Sequence, residues 1–124
     1  MILIDSDVFI DHLRNHAPAT RFFESVINRD DVIFSAITEV ELVSGHQNSD
    51  PKKREKVLHL LHRWTKVSLG NPVTAFAGDL RREYGLTVAD SIIAATALAH
   101  NAELITRNKK DFQKIHELRV RSPY

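Results

Sequence analysis

Short apolar runs that alternate with longer amphipathic stretches are the feature that most restricts what this chain can fold into. Ile2 to Asp5 (ILID) is too short for a helix and ends in an acid, which is the pattern of a buried parallel strand. Similar runs recur at Val32 to Ser35 (VIFS), Lys66 to Leu69 (KVSL) and Glu103 to Thr106 (ELIT), with a weaker alternating segment at Leu118 to Arg121 (LRVR). The stretches between them carry helix punctuation. Pro18 opens a helix with Phe22, Phe23, Val26 and Ile27 on one face, and Asp50-Pro51 begins another that displays Val57, Leu61 and Trp64. Asn71-Pro72 starts a third, running through Phe76 and Leu80 until Gly85 ends it. Thr87 to His100 (TVADSIIAATALAH) is rich in alanine and poor in charge, so it is expected to be buried on most sides, with Asn101 closing it. Parallel neighbours need crossover connections, and helices supply them. The predicted fold class is therefore α/β, a five-stranded parallel sheet with helices on both faces. The polar stretch His46 to Arg54 is the one expected mobile loop.

A length of 124 residues with 43% hydrophobic content predicts one domain, residues 1–124, with its own core. Cysteine is absent, and MILIDSDVF lacks the basic segment and long apolar run of a signal peptide or membrane span, so a soluble cytoplasmic protein without membrane contact is expected. Basic residues number 17 and acidic ones 16, so net charge announces no nucleic-acid partner and any such site must come from local distribution. Pro51 to Lys56 (PKKREK) and Arg107 to Lys110 (RNKK) are locally basic, though runs of this kind are ordinarily solvated faces.

Ligands of open α/β sheets bind beyond the carboxyl ends of the strands, which directs attention to the acids placed there. Asp5 ends the first strand, Glu41 follows the second, and Asp90 opens the helix before the fourth. Each has a plain structural reading. Asp5 can cap the short helix containing Val8 and Phe9, and Glu41 and Asp90 stand three residues after Thr38 and Thr87, the spacing of a capping box. Taken together they say more. Three carboxylates gathered at one end of a sheet repel each other, and a hard divalent cation such as Mg²⁺ relieves that repulsion through oxygen ligands. Asp5-Ser6-Asp7-Val8 also resembles the DxDx start of haloacid-dehalogenase-type phosphatases, but those enzymes need a longer chain and paired acids on a later strand, where this chain has Thr106, Arg107 and Asn108. Asp7 and Asp11 are accordingly expected on the solvent side of the first helix. The seven histidines show no ligand spacing, and His59 and His62 are expected to be exposed.

Four blocks carry a family likeness: the N-terminal Ile-Asp-Ser; Ser35 to Leu42 (SAITEVEL) with Gly45 beyond; Asp90 to Ala97 (DSIIAATA); and Leu104 to Phe112 (LITRNKKDF). In order and spacing, over nearly the whole chain, they resemble the PIN-domain ribonuclease toxins of the VapC type, from VapBC toxin–antitoxin pairs. The resemblance implies a PIN-like fold and Mg²⁺- or Mn²⁺-dependent endoribonuclease activity leaving 5′-phosphate and 3′-hydroxyl ends. It implies a cognate VapB-like antitoxin and a homodimer as well. Carried over by position, the catalytic and metal-binding acids are Asp5, Glu41 and Asp90, with Ser6 and Thr106 as hydrogen-bonding supports. Many PIN domains have a fourth acid where this chain has Asn108, which leaves open whether Asp111 substitutes and whether one or two metal ions bind.

That chemistry is phosphodiester hydrolysis by a metal-activated water. Arg107, Lys109 and Lys110 are the expected contacts to RNA phosphates, with Arg14 and the Lys52 to Lys56 run as weaker candidates. Single-stranded or looped RNA is the expected form, because sequence-selective reading of RNA uses unstacked bases. The rival reading is a non-catalytic PIN-like module that binds RNA or protein, for which Asn108 is the supporting feature. The antitoxin is expected to cover an apolar groove between the helix of Phe22, Phe23 and Val26 and that of Val57, Leu61 and Trp64.

Overall fold

The computed structural model describes residues 1–124, the side chain of His46 excepted. Its strands are β1 (Ile2–Ile4), β2 (Val32–Ser35), β3 (Thr65–Val67), β4 (Glu103–Ile105) and β5 (Val120–Arg121). They form one sheet in the order β3-β2-β1-β4-β5, and every neighbouring pair is parallel. The helices are α1 (Ser6–Leu13), α2 (Ala17–Val26), α3 (Ala36–Val43), α4 (Pro51–His62), α5 (Val73–Tyr84), α6 (Val88–Ala99) and α7 (Lys109–Phe112). The α/β reading and the five strands hold, with β3 beginning one residue earlier than the apolar run and β5 reduced to its last two residues. Among the described residues no helix is long and apolar enough to cross a membrane.

Alternation along the central strands sorts the core into two layers. Leu3, Ile33 and Leu104 point to one face and pack with Leu80 of α5, Ile93 of α6 and Phe112 of α7. Ile2, Ile4, Phe34 and Ile105 point to the other, against Phe9 of α1, Phe23 of α2 and Leu61 of α4. Small residues let α6 lie close under the sheet: Ala94, Ala95 and Ala97 have no exposed surface. Gly85, in the left-handed region at φ 67°, ends α5, and Asn101 at φ 51° follows α6 as expected. Helix α3 belongs to neither layer alone. Its Ile37 packs with the first cluster and Leu42 with the second, so the helix lies across the end of the sheet.

Two expectations fail here: the apolar stripes of α2 and α4 are used up covering one face of the sheet, and local hydrogen bonds order the polar stretch before α4. Phe22, Phe23, Val26 and Leu61 offer no groove between the two helices; they are 6%, 6%, 4% and 1% exposed and form the second core layer, with Val57 in the same cluster and Trp64 half-buried against it. Nor is 46–54 a mobile loop. His46–Ser49 forms a 3-10 turn, Asp50 caps α4 by accepting from Lys52 N–H, and the buried Asn48 donates to the Leu42 carbonyl at 2.6 Å.

Phe9 joins the second layer to the helix that opens at the sheet's carboxyl end. Its ring lies 5.1 Å from Phe23 and 5.9 Å from Phe34, and none of it is exposed. Phe9→Ala should cost about 3–5 kcal/mol, the range for deleting a fully buried aromatic ring. The midpoint of urea unfolding measures it.

Candidate active site

Because all five strands are parallel, their carboxyl ends lie on one side, and the residues that follow β1, β2 and β4 meet there. Asp5 is the junction between β1 and α1. It is 8% exposed, its backbone N–H donates to the Ile105 carbonyl of β4, and its Oδ1 accepts the N–H of Ser6 at 2.8 Å. Its second oxygen, Oδ2, accepts the Thr106 hydroxyl at 2.9 Å. Asp5 is therefore both the N-cap expected from its position and a buried carboxylate with both oxygens engaged. Ser6 turns the other way: its hydroxyl donates to Glu41 Oε1 at 2.7 Å and lies 2.9 Å from the hydroxyl of the fully buried Thr38.

Glu41 is not a capping-box acid. Ser35 caps α3 by accepting from Ile37 N–H, which starts the helix earlier than a Thr38 cap would and carries Glu41 past the first turn. The Thr38/Glu41 spacing instead puts both side chains on one helix face, where Ser6 reaches them. Thr87 does cap α6, accepting from Asp90 N–H at 3.1 Å. Among the described residues the return bond from Thr87 N–H to the Asp90 carboxylate is not made, so this carboxylate does not close a box.

Thr106 organises the opposite wall. Its Oγ accepts from Asn108 N–H at 3.0 Å and donates to Asp5, while Asp7 Oδ2 stands 3.3 Å away. One hydroxyl proton cannot serve two carboxylates. Asp7 Oδ2 is also held by Arg107 N–H at 3.1 Å, and Asp7 Oδ1 is buried without a partner. The expectation that Asp7 and Asp11 face solvent is thus overturned. Helix α1 starts directly at Ser6, which turns position 7 onto the loop after β4, and Asp11 follows four residues later on the same face. Asp11 ion-pairs with Arg107 Nε at 2.7 Å and accepts the Tyr124 hydroxyl. The i, i+4 pair of acids was the signal in the sequence that marked this face.

Charge crowding follows from the geometry. Burial first, then the charge of Asp7, push the Asp5 carboxyl up to about 7, with Asp90 adding to the push and Thr106 and Ser6 opposing it. Asp7 is also raised, chiefly by burial, against the Arg107 amide and the Arg107 charge. Asp90 is raised by burial and by the charges of Asp111, Glu41 and Asp7, while Thr87 opposes it. Asp5, Glu41 and Asp90 are therefore brought together as anticipated, and Asp7 joins them unforeseen. Asn108 keeps its backbone at Thr106 and turns its amide to Asp111 Oδ2 at 3.1 Å.

Among the described residues no group of three or more acids or histidines encloses an ion on its own. Crowded carboxylates of raised pKa, one with an unpartnered buried oxygen, nevertheless match a hard, hydrated divalent cation, which takes one or two carboxylates and keeps waters. Of the basic residues expected near the cleft, Arg107 is occupied by Asp11, whereas Lys110 on α7 is exposed and, among the described residues, outside any ion pair.

A parallel α/β sheet whose carboxyl end is lined with mutually repelling acids defines a class of acid-cleft α/β proteins. The family model described as the PIN domain matches residues 2–118, and the chain belongs to that family. It is 31% identical over 124 residues to Ribonuclease VapC19 of Mycobacterium tuberculosis, covering 95% of this chain and 97% of the relative. Ribonuclease VapC10 of the same organism is 30% identical, with 96% of this chain and 91% of the relative covered. Among solved structures, the fold is similar to a toxin-antitoxin complex from Klebsiella pneumoniae, with TM-score 0.85, 30% identity and coverage of 100% of this chain and 98% of that one.

The Asp5 shift has a definite sign. Its folded value of about 7 lies above the ordinary 3.8, so between these values the folded protein binds more protons than the unfolded chain and loses stability as pH rises. Asp5→Asn removes that dependence. In EDTA, the melting temperature of the variant relative to wild type should climb from about pH 4 to about pH 7. A pH-independent difference would show that Asp5 is not held neutral by its surroundings.

Proposed function

We propose that residues 1–124 form one PIN domain acting as a Mg²⁺- or Mn²⁺-dependent endoribonuclease, the cytoplasmic toxin of a type II toxin–antitoxin pair. The observation that carries this reading is the meeting of Asp5, Glu41 and Asp90 at the carboxyl end of the sheet, in a setting that holds Asp5 and Asp90 above the ordinary carboxylate range. The relatives named as ribonucleases and the toxin–antitoxin complex of the same fold support it. A cognate VapB-like antitoxin and a homodimer are the partners proposed on the same ground.

In this reading Asp5 and Asp90 hold the cation, with Glu41 as the third acid. When bound, the ion supplies Lewis acidity, lowering the pKa of a water and offsetting charge that builds on phosphoryl oxygens. The chain's own residues prepare the place. Thr106 and Ser6 N–H fix the two oxygens of Asp5, and the Ser6 hydroxyl fixes Oε1 of Glu41, leaving Oε2 to orient the attacking water and take its proton. Asp90 sits in the first turn of α6, where the helix N-terminus tempers its charge. Asn108 does not favour the non-catalytic alternative: its Nδ2 donates to Asp111 beside the cleft, and the acids that crowd one another are all present.

Asp90→Asn tests the reading, since Thr87 rather than the Asp90 carboxylate makes the helix cap. Without metal the variant should melt no lower than wild type, because a like charge has been removed. It should gain less stability from Mg²⁺, and its cleavage of labelled single-stranded RNA should fall by about two orders of magnitude or more. Cutting that survives both EDTA and Asp90→Asn would overturn the proposal.

A further inference from the structure

The cleft continues past Glu41. A hollow of about 160 Å³ begins at that carboxylate, walled by Ile10, Leu13 and Leu42, with Arg14 and Gln47 at its far side. A second hollow of about 360 Å³ shares Leu13, Arg14 and Gln47 with the first and runs on over Val57 beside Lys53 and Lys56. Gln47 lines both hollows. A Cβ on Gly45 would lie 2.8 Å from Gln47 Nε2, so the absence of a side chain at position 45 is what lets the amide rest there. Among the described residues, Arg14, Lys53 and Lys56 are in no ion pair, in contrast to Arg107.

We propose that single-stranded RNA leaves the acid cleft along this groove, with one unstacked base seated in the first hollow against the Gln47 amide and the following phosphates held by Arg14, Lys53 and Lys56. The proposal rests on the ribonuclease reading of the cleft. Size supports it, since about 150 Å³ is room for one six-membered aromatic ring. The lining supports it too: aliphatic walls suit the faces of a base, and an amide offers the donor and acceptor that a base edge requires. Cations then follow where the backbone must run, and Lys53 and Lys56 lie three apart on one face of α4.

Binding and cutting are measured separately. Fluorescein-labelled RNA oligomers of about twelve nucleotides, one per base and one of mixed sequence, are titrated in Mg²⁺ into protein carrying Asp90→Asn to suppress cleavage, between about 50 and 200 mM salt. Adding Arg14→Ala, Lys53→Ala and Lys56→Ala together should weaken binding about tenfold or more and reduce the slope of log affinity against log salt by about two, as expected for three lost phosphate contacts on a single strand. Gln47→Leu should flatten the differences among the four uniform oligomers by roughly fivefold or more, the loss falling on the preferred base, while the salt slope stays that of the parent protein. In otherwise wild-type protein, the same substitution should broaden the base found beside the cut. All four side chains are exposed, so these variants should fold, and circular-dichroism melting checks that they do. Unchanged affinity and salt slope in the triple variant would overturn the groove, as would a parent protein that binds none of the oligomers. Loss of binding to a poly-glutamate peptide with RNA binding intact would overturn it in favour of a protein partner. RNA held through the groove but left uncut by wild type in Mg²⁺ and Mn²⁺ would uphold the groove and overturn the ribonuclease reading.

Discussion

The buried carboxylate of Asp5, at the end of the central strand, is the constraint around which the rest of this protein is arranged. A carboxylate 8% exposed is costly to keep charged, and the fold answers with the Ser6 amide on one oxygen and the Thr106 hydroxyl on the other. Those two groups come from opposite ends of the chain. Ser6 is adjacent in sequence, while Thr106 is one hundred and one positions away and reaches Asp5 only because β4 pairs with β1 in register, Ile4 opposite Ile105. The parallel register of the two strands and the geometry of the acid cleft are thus one structural fact.

Precision at this end of the sheet comes from what lies beneath it. Asp5, Ser6 and Asp7 occupy the first turn of a helix whose next residues, Val8 and Phe9, have no exposed surface, so the turn cannot shift without disturbing the core. Glu41 is steadied in a similar way from α3, because Ile37 and Leu42 of that helix are packed against different core layers. Asp90 stands at the head of α6, whose Ala94, Ala95 and Ala97 have no exposed surface. None of the acids therefore depends on a loop for its position, which is the arrangement expected where several like charges must be held close together.

Electrostatic segregation is hidden by a net charge of +1. Acids gather at the strand ends, and the arginine that follows β4, Arg107, is spent on Asp11 and on fixing the loop after β4 through its backbone amide to Asp7. Cations free of such bonds lie further along, on the C-terminal end of α1 and on α4.

Local patterns determined a good deal by themselves. Runs such as VIFS and ELIT place strands because apolar side chains on both sides of so short a segment have no other means of burial, and Asp50-Pro51 starts α4 because cap chemistry is local. The blocks around Asp5, Glu41 and Asp90 likewise pointed to one end of a parallel sheet, since the end of each strand is legible in the chain. Tertiary structure decided the rest. Only packing shows that Phe22, Phe23, Val26 and Leu61 are core and not a binding face, because an amphipathic stripe looks the same whichever surface covers it. The Thr38/Glu41 spacing is that of a capping box, yet Ser35 holds the cap, and which hydroxyl wins depends on where β2 stops. Asp7 read as a solvent-side residue because the rotation of α1 is set by the burial of Val8 and Phe9 against Phe23 and Phe34, partners drawn from two other elements. Element type follows from neighbours a few residues away; the direction a side chain faces follows from contacts across the whole chain, and no local pattern contains them.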